Sequence, residues 1–252
     1  MSNFADSIEL VPSSPKGAAL IFHGLSGNPG SVEKIAKELF AKDFYVYAPQ
    51  LAGHKGNIEE LKIVPHYVWL EEARKAFTKV LNKNPELPKY VLGQSFGALL
   101  ALYVASNYPG KIQKCVALAC PAKFRSLIRS ILFYLLSLLP DCLLNRLGYV
   151  SKRYTKDLEN ANYSKHSLSA VARLVKIRSL TLSRLHLIEC PVMIGQDPND
   201  YHVHSKSLDL LTKKLTRAKV SKYIFVDAGH RLFNGKKAIE VLDKIKTFIF
   251  EE

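Results

Sequence analysis

What the chain lacks narrows its function before any motif is considered. Residues 1–16 carry Asp6 and Glu9 and contain no apolar stretch of signal-peptide length, so export by a cleaved signal is not expected and the cytoplasm is the default compartment. Cysteine is scarce: Cys115, Cys120, Cys142 and Cys190 show no C-x-x-C spacing, and three of them lie in apolar runs. That distribution predicts reduced, buried thiols and argues against a disulfide framework or a thiolate metal site. Nucleic-acid-binding motifs are missing, and the aromatics are not interleaved with basic residues in a stacking pattern. The formal net charge of +14 therefore reads as a basic surface or an attraction to anionic lipid or substrate, not as a nucleic-acid footprint. The excess is uneven, for residues 122–190 hold twelve Lys/Arg against four Asp/Glu.

A length of 252 residues with 48% hydrophobic and 23% charged residues suits one globular domain. Short apolar runs at 18–22, 44–48, 89–92, 115–119, 192–195 and 222–226 alternate with helical patterns at 31–42, 66–82, 98–107, 205–215 and 236–250. Alternation of this kind predicts an α/β fold, a mainly parallel sheet with helices on both faces. In such sheets ligands bind beyond the carboxyl ends of the strands. From 122 to about 188 the alternation stops and no strand is evident. Residues 126–139 of this segment place Leu127, Ile128, Ile131, Leu132, Leu135, Leu138 and Leu139 around most of a helix, which is too short to span a bilayer. Such a helix is either core or a cover over something apolar, and its position between two strands predicts an inserted cap over a site.

The sharpest local signal is Gly93-Gln94-Ser95-Phe96-Gly97, set between an apolar run and a small-residue helical run. A serine on so tight a strand-to-helix turn needs nearly side-chain-free residues two before and two after it, which is the layout of a nucleophile elbow. Serine also needs a base, oriented by a third group. His230, in Asp227-Ala228-Gly229-His230 directly after the last predicted strand, meets the requirement for the base. Two carboxylates, Asp197 and Asp200, follow the 192–195 strand, and either is placed to orient it; the other is a turn or cap aspartate. Oxyanion donors are expected from the main chain: the N–H of Phe96 at the helix start, and one from the His23-Gly24-Leu25 loop, taken as Leu25. His202 and His204 form an H-x-H pair beside Asp200, but no further ligand cluster accompanies it, so no metal is assigned and no cofactor is required.

With these residues in view, the chain resembles an α/β-hydrolase, specifically the serine esterases of the bacterial carboxylesterase and monoacylglycerol lipase branch. Residues 21–27, 48–54, the elbow 93–97, 191–203 and Gly229-His230 carry the resemblance. In that family the acid lies nine residues beyond the proline that opens its strand and three before an apolar residue. Counted from Pro191 toward Val203, this spacing favours Asp200. The resemblance further implies an eight-stranded sheet and a helical cap after Pro121, with the core at 1–121 and 189–252. Two positions depart from the family: Ala98 stands where a second glycine is usual, and Asp197 where glycine precedes the acid. The expected chemistry is hydrolysis of carboxylic esters through an acyl-enzyme. Expected substrates carry an acyl chain, such as a monoglyceride or lysophospholipid, met at an anionic surface. The rivals are acyl transfer from the same intermediate and a binding protein that keeps the fold without turnover.

Overall fold

The computed structural model describes residues 6–151 and 165–251. Seven strands form one sheet in the order β1-β3-β2-β4-β5-β8-β9. They are β1 (Ile8–Leu10), β2 (Gly17–Phe22), β3 (Phe44–Ala48), β4 (Lys89–Gln94), β5 (Lys114–Leu118), β8 (Val192–Gln196) and β9 (Val220–Ile224). All pairings are parallel except β1 with β3, where Glu9 faces Tyr47. The sheet is thus mainly parallel, with seven strands among the described residues where the resemblance implied eight. Among the described residues its antiparallel part is the three-residue strand β1, which tertiary pairing with β3 creates.

Parallel strands buried on both faces read as continuous apolar runs, and β2 is buried along its whole length. Its side chains alternate between two cores. Ala18, Leu20 and Phe22 join the cluster holding Trp69, Phe77 and Leu99, while Ala19 and Ile21 join the one holding Ile35, Val241 and Ile245. The second cluster lies under α1 (Glu33–Phe40) and α9 (Ala238–Phe250); the first lies under α3 (His66–Lys83) and α4 (Phe96–Asn107). Helix α4 carries no charged residue and is buried almost all round, as a helix enclosed between sheet and neighbouring helices must be.

Between β5 and β8 run α5 (Leu127–Ser137), α6 (Asp141–Leu144) and α7 (Leu168–Arg184). A small antiparallel ladder, β6 (Tyr149–Ser151) with β7 (Lys165–Ser167), is also present. This corrects the expectation of no strand in 122–188: two three-residue strands are too short to show a period in sequence. The part of that segment at 152–164 lies outside the described residues. Helix α7 packs on α4, and its Ala170, Leu174 and Ile177 belong to the main core. Arg173, fully buried, ties α7 to α6 and to the end of α2 (Ile58–Ile63), donating to Asp141 Oδ1 (3.1 Å), Asn145 Oδ1 (2.6 Å) and the Lys62 carbonyl.

Helix α5 is different. Only Ser137 is buried, whereas Leu127, Ile128, Ile131, Leu135 and Leu138 are more than half exposed. The leucine-rich run is therefore a surface helix and not a core one. All four cysteines are free, and Cys115 and Cys120 are buried; Cys142, on the exposed side of α6, is not, contrary to expectation. No described helix is long and apolar enough to cross a membrane.

Candidate active site

The strand order reverses at β2: the chain passes outward to β3, then returns to lay down β4 on the other side. Loops leaving the carboxyl ends of β2 and β4 consequently part, opening the crevice in which such sheets hold ligands. The elbow stands in it. Ser95 adopts φ 57°, ψ −120° between β4 and α4, with its N–H bonded to the Leu118 carbonyl at 2.8 Å. The glycine requirement is steric. A Cβ on Gly93 would sit 2.0 Å from the Gly97 carbonyl oxygen, and one on Gly97 2.2 Å from that of Phe22. Ala98, the departure from the family pattern, points into the core and fits there.

Ser95 Oγ lies 2.9 Å from His230 Nε2, and His230 Nδ1 lies 2.6 Å from Asp200 Oδ2. Three residues expected from widely separated loops are thus in hydrogen-bonded series. Asp200 is fully buried, and its second oxygen, Oδ1, accepts from the His202 N–H (2.8 Å) and the Val203 N–H (3.1 Å). Burial would raise its pKa, but the neighbouring His230 and the hydrogen bonds outweigh burial and hold it below the usual carboxylate value. A carboxylate kept ionised there fixes the imidazole with Nδ1 as donor and leaves Nε2 as the acceptor facing Ser95.

Asp197 does not touch the imidazole. Its Oδ2 accepts from the Gly229 N–H (2.6 Å) and its Oδ1 from the Asn199 N–H (2.7 Å), so it anchors the loop that presents His230. Gln94 does related work from inside the elbow, its Oε1 accepting from the Phe233 N–H at 2.8 Å. Sequence reasoning did not single out Gln94, nor Arg125, whose guanidinium donates to the carbonyls of Asp200 (2.9 Å) and Pro198 (3.3 Å). The ring of His202 packs edge-on against His230, with centroids 4.9 Å apart. Its H-x-H companion His204 instead accepts from the Lys206 N–H. A signal for these roles existed only in their nearness to the named loops.

The Phe96 N–H is the first of α4, among the four that intrahelical bonding leaves open. Leu25 lines the same crevice, in a turn closed by Gly27 N–H to Gly24 O (2.9 Å). Below this turn two buried imidazoles meet at 4.9 Å. His23 has its pKa lowered to about 4 by burial, and His54 has its own lowered to about 3 by burial and by His23. Both are neutral props of the turn: His23 Nε2 accepts from the Leu51 N–H, and His54 lies face to face with Phe96.

Above Ser95 is a cavity of about 470 Å³. Phe124, Leu132 and Phe133 from the α5 side and Leu168, Val171 and Leu174 from α7 give it an apolar wall. The arrangement suits nucleophilic attack on a carbonyl bearing an apolar chain.

The chain has relatives among known proteins. The family described as serine aminopeptidase, S33 (Hydrolase_4) matches residues 13–237. A thermostable monoacylglycerol lipase of Bacillus sp. (strain H-257) is 24% identical over 200 residues, 78% of this chain and 75% of the relative. Human monoglyceride lipase is 27% identical over 97 residues, 38% of this chain and 32% of that protein. Among solved structures, a metagenome-derived lipolytic enzyme superposes with a TM-score of 0.84 at 16% identity, covering 99% of both chains. A soluble variant of monoglyceride lipase from Saccharomyces cerevisiae, solved with a substrate analog, gives 0.80 at 13% identity over 97% of this chain and 91% of its own.

Proposed function

The chain belongs to the serine aminopeptidase S33 family of α/β-hydrolases, and from that membership and the site geometry we propose that it is a serine hydrolase of carboxylic esters. The observation that carries the reading is the series Ser95–His230–Asp200 at 2.9 and 2.6 Å. Ser95 Oγ attacks the ester carbonyl as His230 Nε2 takes its proton, and the Leu25 and Phe96 N–H groups hold the oxyanion. The ester C–O bond breaks, and His230 returns the proton to the departing alcohol. Water then attacks the acyl-enzyme by the same relay and frees the acid. Each oxyanion donor contributes roughly 3 kcal/mol to lowering the barrier.

The apolar wall of the cavity favours an acyl chain over a peptide. The relatives named as monoacylglycerol lipases favour hydrolysis over acyl transfer or a binding role without turnover. Residues 122–188 act as a helical cap on the core formed by 1–121 and 189–252, with α7 as its root. The exposed leucine face of α5 rests transiently on the lipid surface that supplies the ester, aided by the basic excess of this segment. Four free thiols are consistent with a cytoplasmic location. A fluorophosphonate probe tests the central reading. The wild type is expected to be labelled and to cleave chromogenic esters, increasingly so with acyl length, and Ser95→Ala to do neither. Labelling that survives in Ser95→Ala would overturn it.

A further inference from the structure

The cavity above Ser95 has a cationic lining. Arg125, Arg129 and Arg231 line the cavity, and among the described residues no aspartate or glutamate does. Arg125 is fixed there, with its guanidinium on the Asp200 and Pro198 carbonyls and its N–H on the His202 carbonyl at 3.1 Å. Arg129 lies in the first turn of α5, and Arg231 directly follows the base. Among the described residues neither side chain is paired with a carboxylate, although ion pairs are frequent elsewhere on this molecule. A concave, partly apolar site lined by one sign of charge concentrates its field and draws the opposite charge. Glycerol hydroxyls alone give three guanidinium groups nothing to neutralise.

Position tells which part of the substrate this charge meets. His230 Nε2 must hand its proton to the leaving oxygen; Arg125 and His202 touch the Asp200 loop and His230, and Arg231, next in the chain after His230, lines the same cavity. Leu168, Val171 and Leu174 of α7 line the same cavity and take the acyl chain. We propose that the substrate is an acyl ester whose alcohol portion carries an anionic group, a phosphate or a carboxylate, held by Arg129 and Arg231 beside the relay. This inference rests on the ester-hydrolase reading and adds the charge of the leaving group to it. The chemistry is unchanged: the acyl–Oγ bond forms, the acyl–alkoxide bond breaks, and the proton from Ser95 goes through His230 to the anionic alcohol.

The test compares matched soluble esters, octanoylglycerol with octanoylglycerol phosphate, and propyl octanoate with the octanoyl ester of hydroxypropionate, while p-nitrophenyl octanoate reports the relay itself. Charge-assisted hydrogen bonds to two guanidinium groups predict a kcat/KM preference of about tenfold or more for an anionic member at low salt. The phosphate and carboxylate pairs separately show which anion is read. The preference is expected to shrink as salt is raised to about 0.5 M, a readout that needs no variant, and to fall to near parity in the Arg129→Gln/Arg231→Gln double variant. Cleavage of p-nitrophenyl octanoate with no anionic preference in either pair overturns the charge inference and leaves the hydrolase standing. A preference that survives the double variant overturns the assignment to these arginines. No turnover of any ester overturns both.

Discussion

Replacing Asp200 by Asn is expected to abolish most ester hydrolysis while barely changing the shape of the site. The carboxylate uses both oxygens: Oδ1 accepts from the His202 and Val203 N–H groups, and Oδ2 faces His230 Nδ1. An amide has one acceptor oxygen. Turning its NH2 toward the two buried backbone donors would leave both unsatisfied, at about 1–3 kcal/mol each. The oxygen therefore stays with the backbone, and the NH2 faces Nδ1. It can donate there only to a lone pair, which forces the imidazole proton onto Nε2. A protonated Nε2 cannot accept from Ser95 2.9 Å away. Loss of the base through the wrong tautomer costs about ten-thousandfold in kcat, or about 5 kcal/mol of barrier. Initial rates on p-nitrophenyl octanoate near neutral pH measure the loss, with a thermal melt to show that the variant is folded. Asp197→Asn is the internal comparison. It weakens one anchor of the His230 loop without altering the tautomer, so a loss of about thirtyfold at most is expected, from one hydrogen bond of about 1–2 kcal/mol. More than about 1% residual activity in Asp200→Asn, or an equal loss in Asp197→Asn, would refute the tautomer argument.

Gly93→Ala and Gly97→Ala should each destabilise the fold by about 3 kcal/mol or more, because their Cβ atoms collide with backbone and not with movable side chains. Gly110→Ala, with nothing within 4 Å, should lose only about 1–2 kcal/mol from its positive φ; urea midpoints that do not separate the two classes contradict the elbow sterics. The buried imidazoles make the fold acid-sensitive. His23 and His54 have pKa values of about 4 and about 3 against a usual 6.5, so the unfolded chain takes up protons that the fold refuses. Stability is complete above pH ~6.5 and falls by about 2 kcal/mol per histidine on the way to pH ~4.5. His54→Phe should lose less over that interval, and an identical pH slope would remove His54 from the account. Arg173→Ala deprives Asp141, Asn145 and the Lys62 carbonyl of their donor and is expected to lower stability by about 3 kcal/mol or more. A denaturation midpoint unchanged from wild type would mean that water satisfies those groups.

Where a residue's role follows from a local necessity, it could be read before any coordinates. Gly93 and Gly97 flank Ser95 because nothing larger fits, and the buried strands β2, β3, β4, β5 and β8 announce themselves as apolar runs because both their faces are covered. Strand β1 and the β6–β7 ladder could not be read in this way. Each strand has three residues, and its existence is decided by a partner elsewhere in the chain, β3 for Ile8–Leu10. The same reason hid the part played by Asp197: its bond to Gly229 joins positions 32 residues apart, and its own neighbourhood looks like that of any turn aspartate. Helix α5 is the most instructive case. Leucines around most of its circumference satisfy a core helix and a surface one equally, and only the packing of α7 beneath it shows that the apolar face is uncovered. The charge of the cavity is a property of the same kind. Arg125 and Arg129 precede Arg231 by 106 and 102 residues. Each alone is an ordinary basic residue, and a cationic lining exists only because the fold brings the start of α5 and the loop that carries His230 to one cavity.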